Sequence, residues 1–165
     1  MEQHIQRSKT WLEELLALMG FTATVKVEEK KDYANLPNIW LVIDDSHLNP
    51  EQIEILIGYK GKGLDALQYL INAQMNLGAE TDNHHTFTIE LNGYRLRRQA
   101  ELLAWCQEIA DKVRQTKQPV EMTELSSAER RQIHTFFQNE SDLETESQGQ
   151  EPDSRLVVRF RYNFG

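Results

Sequence analysis

Leu56-Ile57-Gly58-Tyr59-Lys60-Gly61 runs almost directly into Leu64-Asp65-Ala66-Leu67-Gln68-Tyr69-Leu70. The stretch reads as the apolar end of one helix, a G-x-x-G turn with a lysine in it, and a second helix reaching about Leu77. Two glycines let the backbone turn sharply and let another backbone approach without a Cβ in the way. The helix that follows starts with unpaired N–H groups at the positive end of its dipole. A bare helix-turn-helix corner would carry the same signature, so the elements on either side decide the reading.

Upstream, Asn49-Pro50 opens the first of those helices, with proline suited to a first turn. Ile39 to Ile43 is a short apolar strand, Lys30 to Asn38 a polar turn, and Phe21 to Glu28 alternates as a half-buried strand. Ile5, Leu12, Leu15, Leu16 and Met19 mark an amphipathic helix over residues 5–19, which Gly20 ends. Downstream, Leu64, Leu67, Leu70, Ile71 and Met75 form a stripe predicted to be buried, and Thr86 to Leu91 a third strand before an Asn92-Gly93 turn. The order α-β-β-α-G-x-x-G-α-β makes a small α+β domain, a three-stranded sheet covered by helices.

Tyr94 to about Thr116 is a long helix whose Leu96, Ala100, Leu103, Cys106, Ala110 and Val113 step by three and four, with Leu102, Trp105 and Ile109 widening the face. It would span about 33 Å, enough to lead into a second module. There Val120 starts a short strand, Ser126 and Glu129 make a capping box for a helix through about Phe137, and Leu156 to Tyr162 closes as a strand. Between them, residues 140–151 read as an acidic loop.

Composition narrows the function. The single cysteine, Cys106, excludes an internal disulfide and a multi-cysteine metal site. No signal pattern and no membrane-length apolar run is present, so a cytoplasmic protein is expected. A net charge of −8 argues against indiscriminate polyanion binding. Residues 1–91 hold 7 Lys+Arg against 14 Asp+Glu, whereas residues 92–165 hold 11 against 12. A nucleic-acid surface must therefore be a local patch, and the C-terminal half is the better host.

Arg130 and His134 stand at i and i+4 on one face of the capped helix, with Arg131 beside them. A guanidinium next to an imidazole suits a phosphate with a nearby base. The plain alternative is Arg130 paired to a carboxylate and His134 packed and hydrogen-bonded, and spacing leaves both open. Arg95, Arg97 and Arg98 read either as a basic strip or as a solvated helix face. Arg155, Arg159 and Arg161 read either as more phosphate-binding surface or as charge protecting an edge strand.

Five blocks occur in order: G-Y-K-G (58–61), L-D-A-L-Q-Y-L (64–70), N-G-Y-R-L-R-R (92–98), E-R-R-Q-I-H (129–134) and G-Q-E-P-D-S-R (149–155). Together they resemble the Jag, or SpoIIIJ-associated (KhpB), family, over about residues 8–160. The resemblance implies a type II KH domain over residues 1–92, then a connecting helix and a small α+β domain named for its Arg-xxx-His motif over residues 93–165. It implies that Gly58, Tyr59, Lys60 and Gly61 clamp a nucleic-acid backbone, as KH turns do. Arg130 and His134 would be the second domain's contact, with Lys62, Arg131 and Arg155 adding charge. It further implies single-stranded RNA as ligand, with single-stranded DNA as an alternative, a small KH-only partner protein, and a role in post-transcriptional regulation. Gly63 stands where the family commonly has threonine, which would loosen the helix start.

Other residues read as structural. His84-His85 would point to opposite faces of a strand and make a poor chelate. Cys106, Trp40 and Trp105 are expected in cores, and Trp11 over the sheet. No nucleophile with its base, P-loop or dinucleotide fingerprint is present. The expectation is an RNA-binding protein without catalytic activity, metal or cofactor. The competing class is a protein-interaction adaptor that dimerises through its KH domain.

Overall fold

A computed structural model describes residues 2–31, 35–79, 84–150 and 154–162. The chain divides into two compact α+β units, residues 1–95 and 96–165. In the first, α1 (Glu2–Leu18) is followed by β1 (Val25–Lys31), β2 (Pro37–Ile43), α2 (Pro50–Ile57), a 3₁₀ turn at Tyr59–Gly61, α3 (Lys62–Met75) and β3 (Thr86–Leu91). The sheet order is β1-β2-β3, with β2 antiparallel to β1 and parallel to β3. Leu12, Leu16, Ile39, Leu41, Ile43, Leu64, Ile71, Phe87 and Ile89 make its core.

Local chemistry fixes the helix ends. Phe21 N–H donates to the Leu16 carbonyl and Gly20 N–H to the Ala17 carbonyl, with Gly20 at φ 90°, a Schellman stop. Asn49 and Gln52 form a reciprocal capping box at α2. The outer edge of β3 is closed by α3. Asn72 both donates to and accepts from the Phe87 backbone, Asn76 does the same with His85, and Gln68 accepts from Ile89 N–H. Three amide side chains one turn apart thus take the place of a fourth strand. Two expectations are corrected: β1 starts later than Phe21, and Leu70 is exposed, because the buried stripe of α3 runs Leu64, Leu67, Ile71, Met75.

The long helix α4 (Tyr94–Thr116) opens at the end of the first unit, and its body belongs to the second. Buried Glu90 caps its start, accepting from Arg95 N–H at 3.0 Å. Then come β4 (Val120–Met122), α5 (Ser127–Gln138), β5 (Leu143–Gln148) and β6 (Arg155–Phe160), with the sheet in the order β4-β6-β5 and both pairings antiparallel. Leu102, Cys106, Ile109, Val113, Met122, Ile133, Phe137, Leu143, Leu156 and Val158 pack together. Burial pushes the Cys106 thiol up to about 11.

Several expectations change in this unit. The expected acidic loop contains a strand, β5. The strand β6 is central rather than an edge. Leu96, Ala100 and Leu103 are exposed, since α4 buries the face through Leu102, Cys106 and Ile109. In the first unit, Trp40 is only partly buried, on the outward face of β2, with the Lys30 ammonium 4.0 Å from its ring centroid.

Candidate nucleic-acid interface

The G-x-x-G corner is a run of left-handed backbone. Gly58 has φ 72°, Lys60 φ 51° and Gly61 φ 79°. A Cβ on Gly58 would lie 2.6 Å from the Gly63 nitrogen, and one on Gly61 2.5 Å from a Tyr94 ring carbon. Gly63 is a third requirement: its Cβ would sit 2.3 Å from the Leu56 carbonyl oxygen. The end of α2 and the start of α3 therefore touch backbone to backbone. Far from loosening the helix start, Gly63 is what permits this approach, which corrects the expectation.

The corner presents a definite chemistry. Tyr59 is 63% exposed. The ammonium groups of Lys60 and Lys62 lie 5.6 and 5.7 Å from its ring centroid, so an aromatic plate stands between two cations. No side chain caps α3, whose N-cap is Gly61, so its first N–H groups face the same corner. Asp65 in that first turn is engaged by Arg95 at 2.7 Å. Arg95 also donates to Gln68 and to the Ile89 carbonyl. Arg95 is thus a bolt between α3 and β3 rather than part of a basic strip. Arg98, paired to Glu129 at 2.7 Å, ties α4 to α5 in the second unit.

In that unit the capping box of Ser126 and Glu129 sets α5. Arg130 curls back over the helix start and donates to the Leu125 carbonyl at 2.9 Å and Ser127 Oγ at 3.1 Å. His134 reaches across to β5, its Nδ1 2.5 Å from Thr145 Oγ1 and its Nε2 3.0 Å from Ser147 Oγ. Burial first, and the Arg130 charge second, hold the His134 imidazole below its ordinary pKa. Arg131 is exposed beside them. The i, i+4 spacing thus brings Arg130 and His134 into one electrostatic neighbourhood.

Arg155 does not join them. In the β5–β6 ladder Arg155 opposes Gln148, and Leu156 opposes Ser147. Residues directly opposite share a face and neighbours alternate, so Arg155 lies on the other side of the sheet from the His134 contacts. There Arg155 pairs with Glu121 at 3.5 Å, Arg159 with Glu144 at 3.0 Å and with Glu146, and Arg161 with Glu144 at 3.7 Å. That face carries compensated charge. The site residues missed from sequence are Thr145 and Ser147. Their signal is the parity of Leu143, Thr145 and Ser147 against Glu144 and Glu146.

Among the described residues no group of three or more His, Cys, Asp or Glu is placed to hold a metal ion. No described helix is long and apolar enough to cross a membrane.

Residues 100–160 match the family of domains named for the Arg-xxx-His motif. The chain is 30% identical over 151 residues to the "RNA-binding protein KhpB" of Clostridium symbiosum, which covers 92% of this chain and 64% of that protein. It is 26% identical over 156 residues to the protein of the same name from Bacillus subtilis, covering 93% of this chain and 69% of the relative. A third relative of that name, from Lactiplantibacillus plantarum, is 29% identical over 143 residues, which is 87% of this chain and 41% of the relative. The chain thus spans just under two thirds of the first of these relatives. An α+β unit with a G-x-x-G corner, a following unit matched as an Arg-xxx-His domain, and similarity running through both lead to one assignment: the chain belongs to the KhpB (Jag) family.

Proposed function

We propose that the chain is an RNA-binding protein that holds a single-stranded segment at two places and acts as a post-transcriptional regulator. The observation that carries this reading is the corner at Gly58–Gly61, with exposed Tyr59 set between Lys60 and Lys62. A phosphodiester backbone would lie along the corner and the uncapped start of α3, and a base would stack on Tyr59. The second contact is built around Arg130, Arg131 and His134. Arg155, on the far face of the sheet, would add only long-range charge. The names of the relatives, all RNA-binding proteins, support the ligand class. Two weak contacts tethered through one chain bind better than either alone, because the second becomes intramolecular.

The test is fluorescence anisotropy of the full chain with short single-stranded RNA and DNA pools at two salt concentrations. The informative variant is Tyr59→Asp with Lys60→Asp. It keeps both glycines, and aspartate tolerates the left-handed backbone of position 60. A loss of about tenfold or more in RNA affinity is expected, with binding that weakens as salt rises. Unchanged affinity in the folded variant would remove the corner from the mechanism. The DNA pool reports whether a 2′-hydroxyl matters.

A second reading, a protein-interaction adaptor, is favoured by Tyr69, Leu70 and Leu77, which stand exposed along one side of α3 and its C-terminal end. A small KH-only protein is the partner that fits this reading. A clean, folded chain that ignores RNA but sediments as a stable dimer would select it.

A further inference from the structure

We propose that Thr145 and Ser147 complete a phosphate-binding site with Arg130 and His134, and that this site takes up one proton at His134 as it binds. The inference rests on the reading that the second unit contacts RNA.

Both ring nitrogens of His134 are engaged, one by each hydroxyl. A neutral imidazole has one donor and one acceptor nitrogen. One hydroxyl must therefore aim its hydrogen at the ring, while the other accepts from the ring and turns its hydrogen away. A protonated imidazole has two donors. Both hydroxyls then accept from the ring, and both O–H hydrogens turn outward. A single protonation thus adds a positive charge and converts an inward donor into an outward one. The ligand that gains from both changes is an anionic oxygen with several lone pairs, such as a phosphodiester.

Without ligand, the ring is held neutral by burial and by the Arg130 guanidinium one turn away. A phosphate seated on Arg130 offsets that repulsion and compensates the burial. The other charges on this stretch of α5 are Arg131, which is exposed, and Glu129, which is engaged by Arg98. On the facing side of β5 stand Leu143, Thr145 and Ser147, and on that of β6 Leu156, Val158 and Phe160, none of them ionisable. Glu144, Glu146, Arg155 and Arg159 pair with one another or with Glu121 on the far side. Ser147 is exposed and Thr145 half-buried, so at least one hydroxyl is open to a ligand.

The experiment is the RNA affinity of the full chain from pH 8 to pH 5.5 at constant ionic strength, for the natural chain, His134→Gln, and Thr145→Val with Ser147→Ala. Glutamine offers one donor and one acceptor but takes up no proton. The natural chain is expected to bind more tightly as pH falls, approaching about tenfold per pH unit where the free and bound pKa values bracket the pH. That slope should vanish in His134→Gln, which also removes the remaining histidines as its source. The double hydroxyl variant should lose roughly fivefold or more at pH 5.5 and less at pH 8. Imidazole ¹⁵N shifts should show RNA raising the pKa of His134 in the natural chain. RNA binding that is flat in pH, or a slope retained by His134→Gln, overturns the proton coupling and leaves RNA binding standing. Hydroxyl variants that match the natural chain at every pH overturn their place in the site. A natural chain that binds no RNA at any pH overturns the functional reading itself.

Discussion

Gly63 and Leu56 are in backbone contact: a Cβ on Gly63 would lie 2.3 Å from the Leu56 carbonyl oxygen and 3.0 Å from that of Ile57. Two effects of opposite sign meet at this residue. Helix propensity alone would have Gly63→Ala stabilise α3 by up to about 1 kcal/mol. The contact requires the added methyl to push α2 from α3, at a cost of about 1–3 kcal/mol. Both oxygens belong to the backbone and neither can swing aside like a side-chain tip, so the contact wins. Gly63→Ala should lower the thermal midpoint of the first unit and speed hydrogen exchange in α3. An alanine variant as stable as the natural chain would show that the corner has slack.

How legible was this in the sequence? The α2–turn–α3 stretch was, because Asn49, Pro50, Gln52, Gly58 and Gly61 are local signals that act within a few residues. The capping box at Ser126 and Glu129 was legible for the same reason. Strand β5 was not. Its inward residues Thr145 and Ser147 hydrogen-bond to His134 instead of packing, and its outward Glu144 and Glu146 meet Arg159. A strand polar on both faces gives no alternation to read. The side of the sheet taken by Arg155 was equally hidden, since it depends on a pairing with that unread strand. On α4, Leu96 and Leu103 suggested a stripe, but burial follows the sheet of the second unit, which a helical period alone does not locate.

The amide ladder of α3 is a stability element with a clear reading. Asn72 satisfies both the N–H and the carbonyl of Phe87, each at 2.9 Å. Asn72→Leu leaves two half-buried backbone groups without that partner and should cost roughly 2 kcal/mol or more. It also uncovers part of the β3 edge, a template for strand addition. Denaturation should show the loss, and light scattering a rise in association. A fully stable, monodisperse Asn72→Leu chain would mean that water replaces the side chain without penalty.

In the second unit Arg114 holds the C-terminal half of α4 to the approach to β5. Its guanidinium meets Asp142 at 2.7 Å and Glu140 at 2.6 Å. Hydrogen bonding from Arg114 keeps the Asp142 carboxyl below the usual aspartate range. A carboxyl whose folded pKa is depressed contributes stability above its unfolded pKa, near ~4, and loses it as pH falls through the folded value. Acidification from about pH 5 to below about pH 3 should therefore weaken the natural second unit more than an Asp142→Asn variant. The groups are partly solvated, so the difference should be modest and should shrink in high salt. Identical acid profiles for the two chains would discard the pair as a stability element.

A different pH window belongs to the first unit. His4 of α1 stacks against His85, with ring centroids 4.5 Å apart and Phe87 at 6.0 Å from His4. His4 Nε2 and His85 Nδ1 are buried without a hydrogen-bond partner. Burial first, then the neighbouring His85, Arg7 and N-terminal charges, lower the pKa of His4. For a base depressed in the folded state, stability is complete above the unfolded value near ~6.5. It is lost as pH falls from there toward the folded value, because the unfolded chain takes up the proton first. The first unit should therefore be less stable at pH 5.5 than at pH 7.5. His4→Phe keeps an aromatic ring against His85 and Phe87 while removing the proton site and the unpartnered nitrogen. It should flatten the pH dependence and match or exceed the natural stability at pH 5.5. Hydrogen exchange at the N-terminal turns of α1, followed across both pH values in both chains, gives the measurement. Equal acid sensitivity in the two chains would assign the loss to another group.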